Sequence, residues 1–155
     1  MSFGGCEKSG MHSSRVCVDA NVVIRLVADP SDEPVRQLWE RWDIERQQLA
    51  APTLLRYELT NALYRYQKQG FMSGSSAQLA LRAALSLPIS LHGEADLHWR
   101  ALDLAQRFSL PAAYDAHYLA LAEHLGAAFW TADQRLARAV RPALPWVHLV
   151  DEPVA

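Results

Sequence analysis

Four acidic residues occupy positions from which their carboxylates could act together. Asp19 directly follows the apolar run 15–18, and two residues separate Asp133 from the apolar run 127–130. Such runs are typical of buried parallel strands, and ligands of an open parallel sheet bind outside the carboxyl ends of its strands. Taken singly, each aspartate could instead be a helix N-cap. The two roles are compatible, because one carboxylate can cap with one oxygen and bind a cation with the other.

Glu58 lies on the apolar side of a helix predicted to begin near Pro52. At about 100° per residue, it falls within roughly 60° of Leu54, Leu55 and Ala62. A carboxylate on such a face costs desolvation energy unless it is paired or bound to a cation. Arg65 shares this stripe but lies two turns away, too far for a local ion pair. A cation site and a buried salt bridge with a distant residue both stay open.

Asp115 repeats this arrangement on a helix predicted over residues 113–125. Leu119 and Ala122 lie within about 40° of it, on the stripe that faces the core. Four carboxylates at one sheet edge repel one another unless a cation neutralises them. Oxygen ligands without nearby His or Cys select hard ions, Mg²⁺ or Mn²⁺, which activate water and polarise phosphodiesters. The acids therefore predict a metal-dependent phosphodiester hydrolase.

Predicted strands and helices alternate along the chain that must position these acids. The strands are expected within 15–18, 49–52, 88–92, 127–131 and 145–150. This alternation predicts one three-layer α/β domain over residues 15–150, with a parallel sheet of four or five strands flanked by helices. Residues 1–14 are expected to form a flexible N-terminal tail, and residues 151–155 a C-terminal tail.

Composition limits the classes of function. The 155 residues suit one domain, and no apolar run approaches the ~20 residues needed to cross a bilayer. Cys6 and Cys17 provide neither a disulfide framework nor a zinc motif, which favours a reducing compartment, and we expect a cytoplasmic protein. The formal net charge of −2 gives no general attraction to phosphate, so nucleic-acid binding requires local charge or bound metal.

The chain resembles a known family in four motifs. They are VDANVVIRL (18–26), PTLLRYELTNAL (52–63), YDAHYLALAEHLG (114–126) and WTADQRLA (130–137). In order and spacing they are similar to those of PIN-domain nucleases, and within that family to the toxin ribonucleases of VapBC-type toxin–antitoxin pairs. The resemblance covers about residues 15–150 and implies a PIN-like fold.

The resemblance also implies site residues, a cofactor and partners. The acidic quartet of the family falls on Asp19, Glu58, Asp115 and Asp133, with Asn21 and Thr131 at its supporting polar positions. These acids would hold Mg²⁺ or Mn²⁺, Asp19 and Asp115 most directly and the other two partly through water. The implied partners are an RNA substrate, a cognate antitoxin whose C-terminal segment fills the groove, and a second copy in a homodimer.

Other functions stay open at this point. The chain could be a PIN-type RNA-processing nuclease outside toxin systems, or a catalytically inert PIN-fold binding module. A metal-dependent phosphatase is disfavoured because Asn21 stands where a second aspartate is expected. Metal-free RNA cleavage by histidines is a further alternative. Its candidates are His98, His117 and His124, although the last two face away from Asp115 on their helix.

Arginines and tryptophans near these helices have two interpretations each. Arg25, Arg56 and Arg65 could contact phosphate or lie in solvent. Tryptophan at helical spacing is more often part of a core or an interface than a base-stacking platform, and that interpretation is preferred. It applies to Trp39, Trp42 and Trp99.

Overall fold

A computed structural model describes residues 14–152. Within them the sheet consists of β1 (Arg15–Val18), β2 (Gln48–Pro52), β3 (Ile89–His92), β4 (Ala128–Thr131) and β5 (Val147–Leu149). The helices are α1 (Ala20–Ala28), α2 (Glu33–Ile44), α3 (Leu54–Lys68), α4 (Gly74–Leu85), α5 (Ala95–Arg107), α6 (Tyr114–Leu125) and α7 (Gln134–Val140). All strand pairs are parallel, in the order β3-β2-β1-β4-β5. The predicted α/β fold with a parallel sheet between helices is confirmed, with five strands.

Both faces of the sheet are covered, which makes the domain three-layered. Cys17 and Phe129 are paired in register and face α6, where the Tyr118 ring lies 6.0 Å from the Phe129 ring. Trp130 faces the other side, and its ring meets that of Trp42 on α2 at 6.0 Å. Alternate strand residues point to opposite faces, so each strand contributes to both halves of the core.

Helix ends follow local rules that the sequence already displays. Asp32 accepts a hydrogen bond from the Val35 N–H at the start of α2, as expected of an N-cap. Gly126 ends α6 with a φ of 61°, a left-handed conformation that glycine adopts without steric cost. This ending turns the chain directly into β4 and so fixes where α6 ends relative to the sheet.

The predicted tails lie mostly outside the described residues, since 1–13 and 153–155 are not covered. At the C-terminal boundary, Asp151 forms an ion pair with Arg25 at 2.8 Å, and Glu152 forms one with Arg141. These residues are therefore attached to the domain. Among the described helices, none combines the length and apolar character that a membrane span requires.

Candidate active site

Asp19 lies at the junction of β1 and α1, at the centre of the sheet. It is only 3% exposed, and its backbone N–H donates to the Trp130 carbonyl at 3.0 Å. Its Oδ1 accepts from the Ala20 N–H at 2.8 Å, and its Oδ2 accepts from the Thr131 hydroxyl at 2.8 Å. Asp19 is thus a helix N-cap, as the alternative interpretation held, and also a buried carboxylate at the carboxyl edge of the sheet.

Asn21 and Thr131 connect this carboxylate to the end of β4. The Asn21 amide nitrogen donates to Asp19 Oδ2 and Thr131 Oγ1, each at 3.3 Å, while its oxygen accepts from the Ala132 N–H at 3.0 Å. Thr131 Oγ1 also accepts from the Asp133 N–H at 3.0 Å. The two polar side chains therefore fix the loops that carry Asp19 and Asp133.

Asp133 caps α7 with one of its two oxygens. Its Oδ1 accepts from the N–H groups of Arg135 and Leu136 at 3.0 and 3.1 Å. No described residue donates to its Oδ2. Capping therefore leaves one carboxylate oxygen free to bind another group.

Glu58 is half-buried on α3, and its partner is a hydroxyl rather than a cation. The Tyr118 hydroxyl donates to Glu58 Oε1 at 2.8 Å. Burial raises the pKa of the Tyr118 phenol, so it keeps its proton and acts as a donor. The sequence interpretation missed Tyr118. Its position three residues after Asp115 indicated that it lies on the same helix, α6, but did not indicate a hydrogen-bond partner on another helix.

Asp115, on the first turn of α6, has no hydrogen-bond or ion-pair partner among the described residues. Glu58 likewise forms no ion pair within residues 14–152. The buried salt bridge considered as an alternative for these two acids is therefore not formed in the described part of the chain. Both carboxylates keep oxygen atoms available at the site.

The four acids form one electrostatically coupled cluster. Burial, then Asp115 and Glu58, raise the pKa of Asp19 to about 8, against the opposing effect of the Thr131 hydrogen bond. Burial raises the pKa of Glu58, with Asp115 adding to the effect and the Tyr118 hydroxyl opposing it. Burial and then Asp133 raise the pKa of Asp115. Glu58, Asp115 and Asp133 thus each disfavour ionisation of another acid of the cluster, as expected where a cation is to be bound.

The donor set fits a hydrated hard cation. Across residues 14–152, no three acidic, imidazole or thiol side chains lie close enough together to enclose a metal ion. Mg²⁺ seldom needs such a cage, because it keeps several waters and binds proteins through one or two carboxylates together with substrate phosphate. Carboxylate oxygens are the ligands that such ions prefer. The cluster therefore suits an ion held by a few acids and completed by water.

A groove lies beside this cluster, between α1 and α3. It has a volume of about 460 Å³, and Glu58, Asn61 and Arg65 line it. Arg25 also lines it, but its guanidinium is engaged by Asp32 at 2.7 Å and by the C-terminal ion pair. Arg56 is exposed but does not line this groove, whereas Arg65 is exposed and lines it, so Arg65 is the best placed of the three predicted phosphate contacts.

The tryptophans and histidines that the sequence offered as candidates lie in different surroundings. Trp42 is 2% exposed in the core with the Trp39 ring 5.3 Å away, whereas Trp99 is 76% exposed. His98 Nδ1 lies 3.0 Å from Nε2 of His117, which is on the first turn of α6. His124 lies on the last turn of the same helix. The three histidines predicted as an alternative catalytic group therefore do not converge.

Known proteins share this arrangement of elements. Residues 16–142 match the PIN domain family. Ribonuclease VapC3 of Mycobacterium tuberculosis is 33% identical over 125 residues, which cover 81% of this chain and 87% of that protein.

Solved structures with the same fold include a chain of a toxin–antitoxin complex from Klebsiella pneumoniae. Its TM-score is 0.64 at 21% identity, covering 89% of this chain and 99% of that one. PAE2754 from Pyrobaculum aerophilum has a TM-score of 0.62 at 25% identity, covering 92% and 91%. The match over residues 16–142 includes all four acids, and the chain belongs to the PIN-domain family, among its VapC-type members.

Proposed function

We propose that this protein is a metal-dependent endoribonuclease and the toxin of a VapBC-type toxin–antitoxin pair. The observation that carries the proposal is the coupled cluster of Asp19, Glu58, Asp115 and Asp133 at the carboxyl edge of the sheet. The name of its mycobacterial relative, a ribonuclease, supports RNA as the substrate. This substrate implies action in the cytoplasm.

Mg²⁺ or Mn²⁺ is the proposed cofactor, held most directly by Asp19 and Asp115. Such an ion, when bound, supplies activation of water and neutralises phosphodiester charge. The protein holds Asp19 in a fixed rotamer through the Ala20 N–H and the Thr131 hydroxyl, so that its oxygens keep their directions. Pre-organised ligands of this kind reduce the reorganisation needed when substrate arrives.

Glu58 and Asp133 act as the flanking acids of the site. Tyr118 orients Glu58 through one oxygen, and the second oxygen stays available to accept a proton or to bind a water. The free Oδ2 of Asp133 has the same capacity. Arg65 and Asn61, in the adjoining groove, supply a cation and an amide for the phosphates on one side of the scissile bond.

An antitoxin and a second copy of the chain are the proposed protein partners. The structure from Klebsiella pneumoniae is a toxin–antitoxin complex, which supports an antitoxin. Two large apolar side chains that remain more than half exposed, Phe71 after α3 and Leu79 on α4, support a protein contact in this region.

Cleavage of RNA by purified protein free of antitoxin tests the proposal. We expect cutting with Mg²⁺ or Mn²⁺, none with EDTA, and products with 5′-phosphate ends. Mutating even an indirect partner of a metal ligand costs about 10- to 100-fold, so Asp115→Asn should lose at least about 100-fold. Asp96→Asn, an exposed acid on α5, is the matched control. Cleavage that persists in EDTA, or 2′,3′-cyclic phosphate ends, would overturn the metal mechanism.

Co-expression distinguishes a toxin from an RNA-processing nuclease of the same family. We expect growth arrest when the protein is expressed alone, and rescue when the product of the adjacent gene is expressed with it. The rescued complex should contain both chains after purification. Growth that is unaffected by an active enzyme would favour the RNA-processing alternative.

A further inference from the structure

A second concave site opens at the same edge of the sheet as the acids. It is a cavity of about 380 Å³ between the start of α3, the turn after β3 and the first turns of α5 and α6. Its walls are largely apolar and include Pro52, Leu54 and Leu97. The volume lies within the range of about 300–1,000 Å³ typical of small-molecule sites. None of the four acids lines it.

Two tyrosines join this cavity to the acidic cluster. Tyr57 lines the cavity and directly precedes Glu58 on α3, and Tyr114 lines it and directly precedes Asp115 on α6. Their side chains are 76% and 64% exposed, although aromatic rings are usually well buried. Exposed rings at this position offer faces on which a planar ligand can stack.

A pair of imidazoles gives the cavity a polar edge with a defined direction. His117 Nδ1 lies 2.7 Å from the carbonyl oxygen of Ala113, which can only accept, so Nδ1 carries the proton. In this tautomer His117 accepts at Nε2, and His98 donates to it from Nδ1 across 3.0 Å. This leaves His98 Nε2 as an acceptor to which no described residue donates.

We propose that this cavity binds one nucleobase of the RNA, next to the scissile phosphate. The base would stack on Tyr57 or Tyr114 and donate an N–H to His98 Nε2, as RNA-binding proteins commonly recognise unstacked bases. The proposal rests on the proposed ribonuclease function and adds a source of sequence preference. Acids and arginines that contact phosphate cannot supply such a preference, because phosphate is the same at every step.

A second copy of the chain is the competing occupant, since Trp99 is exposed on the neighbouring helix α5. The imidazole edge favours the base. A flat contact between two apolar helix surfaces would bury His98 Nε2 without a donor, which carries an energetic penalty. A nucleobase brings both a flat ring and an N–H donor into a cavity of this size.

Uncharged nucleosides test the site without metal and without cleavage. Adenosine, guanosine, cytidine and uridine are titrated into the protein in EDTA, and the imidazole resonances of His98 and His117 are followed by NMR. Stacking of a base on an aromatic ring corresponds to about a 5- to 100-fold change in binding. We therefore expect at least one nucleoside to bind and its affinity to fall 5-fold or more in Tyr57→Ala or Tyr114→Ala.

Tyr64→Ala is the matched control, because Tyr64 is also exposed on α3 but lies outside the cavity. It should leave nucleoside binding unchanged. In a parallel assay with Mg²⁺, RNA of random sequence is cut and the ends are sequenced. The two cavity variants should flatten a base preference beside the cut and raise KM more than they lower kcat.

The outcomes separate the two proposals. Nucleoside binding without any RNA cleavage would overturn the ribonuclease function and support the base site. Cleavage with no nucleoside binding, and an unchanged cut-site profile in both variants, would overturn the base site alone. If the variants instead convert a dimer to a monomer in sedimentation and keep the profile, the cavity belongs to a subunit contact and the base site is wrong.

Discussion

Replacing Asp19 by Asn should stabilise the metal-free protein, although it should abolish activity. Burial and the neighbouring acids raise the pKa of Asp19 from an ordinary 3.8 to about 8. The folded protein therefore keeps this proton at pH values where the unfolded chain has released it. It follows that the wild type loses stability as the pH rises from about 4 to about 8, and that the full penalty applies above that range.

The size of the effect follows from the two pKa values. A difference of about four pH units corresponds to roughly 5 kcal/mol at full ionisation. Asparagine removes the charge but also weakens the hydrogen bond from Thr131, which costs about 1 kcal/mol. With some relaxation of the wild-type site, we expect a net gain of about 2 to 4 kcal/mol at pH 8, equivalent to a Tm increase of roughly 4 to 16 °C.

Thermal unfolding in EDTA, measured from pH 4 to pH 9, provides the assay. The Tm difference between Asp19→Asn and wild type should grow with pH and nearly vanish near pH 4. Asp43→Asn, at an exposed position on α2, is the control and should follow the wild-type curve. A variant that is no more stable than wild type at pH 8, or a difference independent of pH, would refute the reasoning.

Three further changes probe the surroundings of the site. Tyr118→Phe removes the donor to Glu58 and should lower the free energy of unfolding by about 1 to 3 kcal/mol. It should also reduce RNA cleavage in part, and by more than the control Tyr64→Phe does. Gly126→Ala places a side chain at a φ of 61° and should lower stability by about 1 kcal/mol, seen as a lower Tm. The hydrogen bond from Arg25 is the main reason why the pKa of the Asp32 carboxylate is lowered. Asp32→Ala should therefore lower the free energy of unfolding by about 1 kcal/mol near neutral pH, as measured by urea titration. This loss should shrink as the pH falls through the lowered pKa.

Local sequence was sufficient for the elements and for the candidate acids. The apolar run before Asp19 and the N-cap at Asp32 act within one or two turns of chain, so their signals are visible in short windows. The apolar stripes around Glu58 and Asp115 predicted that both acids lie on the core-facing sides of their helices, and both are half-buried in the structure. The resemblance in four motifs predicted the PIN-domain family, which residues 16–142 confirm.

Contacts between residues far apart in sequence could not be predicted from short stretches of one or two helical turns. Arg25 was predicted as a possible phosphate contact, but it is engaged by Asp151, 126 residues away. The hydroxyl partner of Glu58 lies 60 residues along the chain. Neither pairing follows from helical spacing, because each depends on how whole elements pack.

By itself, the sequence determined the order of strands and helices, the four carboxylates and their placement at strand ends or on apolar helix faces, because these properties depend on local periodicity and capping. Only the tertiary structure decided that the acids form one coupled cluster, that Tyr118 orients Glu58, and that Asp115 lacks a described partner. The reason is physical: the order β3-β2-β1-β4-β5 and the packing of α3 and α6 against it set the distances between side chains far apart in sequence. Charge repulsion and desolvation depend on those distances, and so does the capacity of the site to hold a cation.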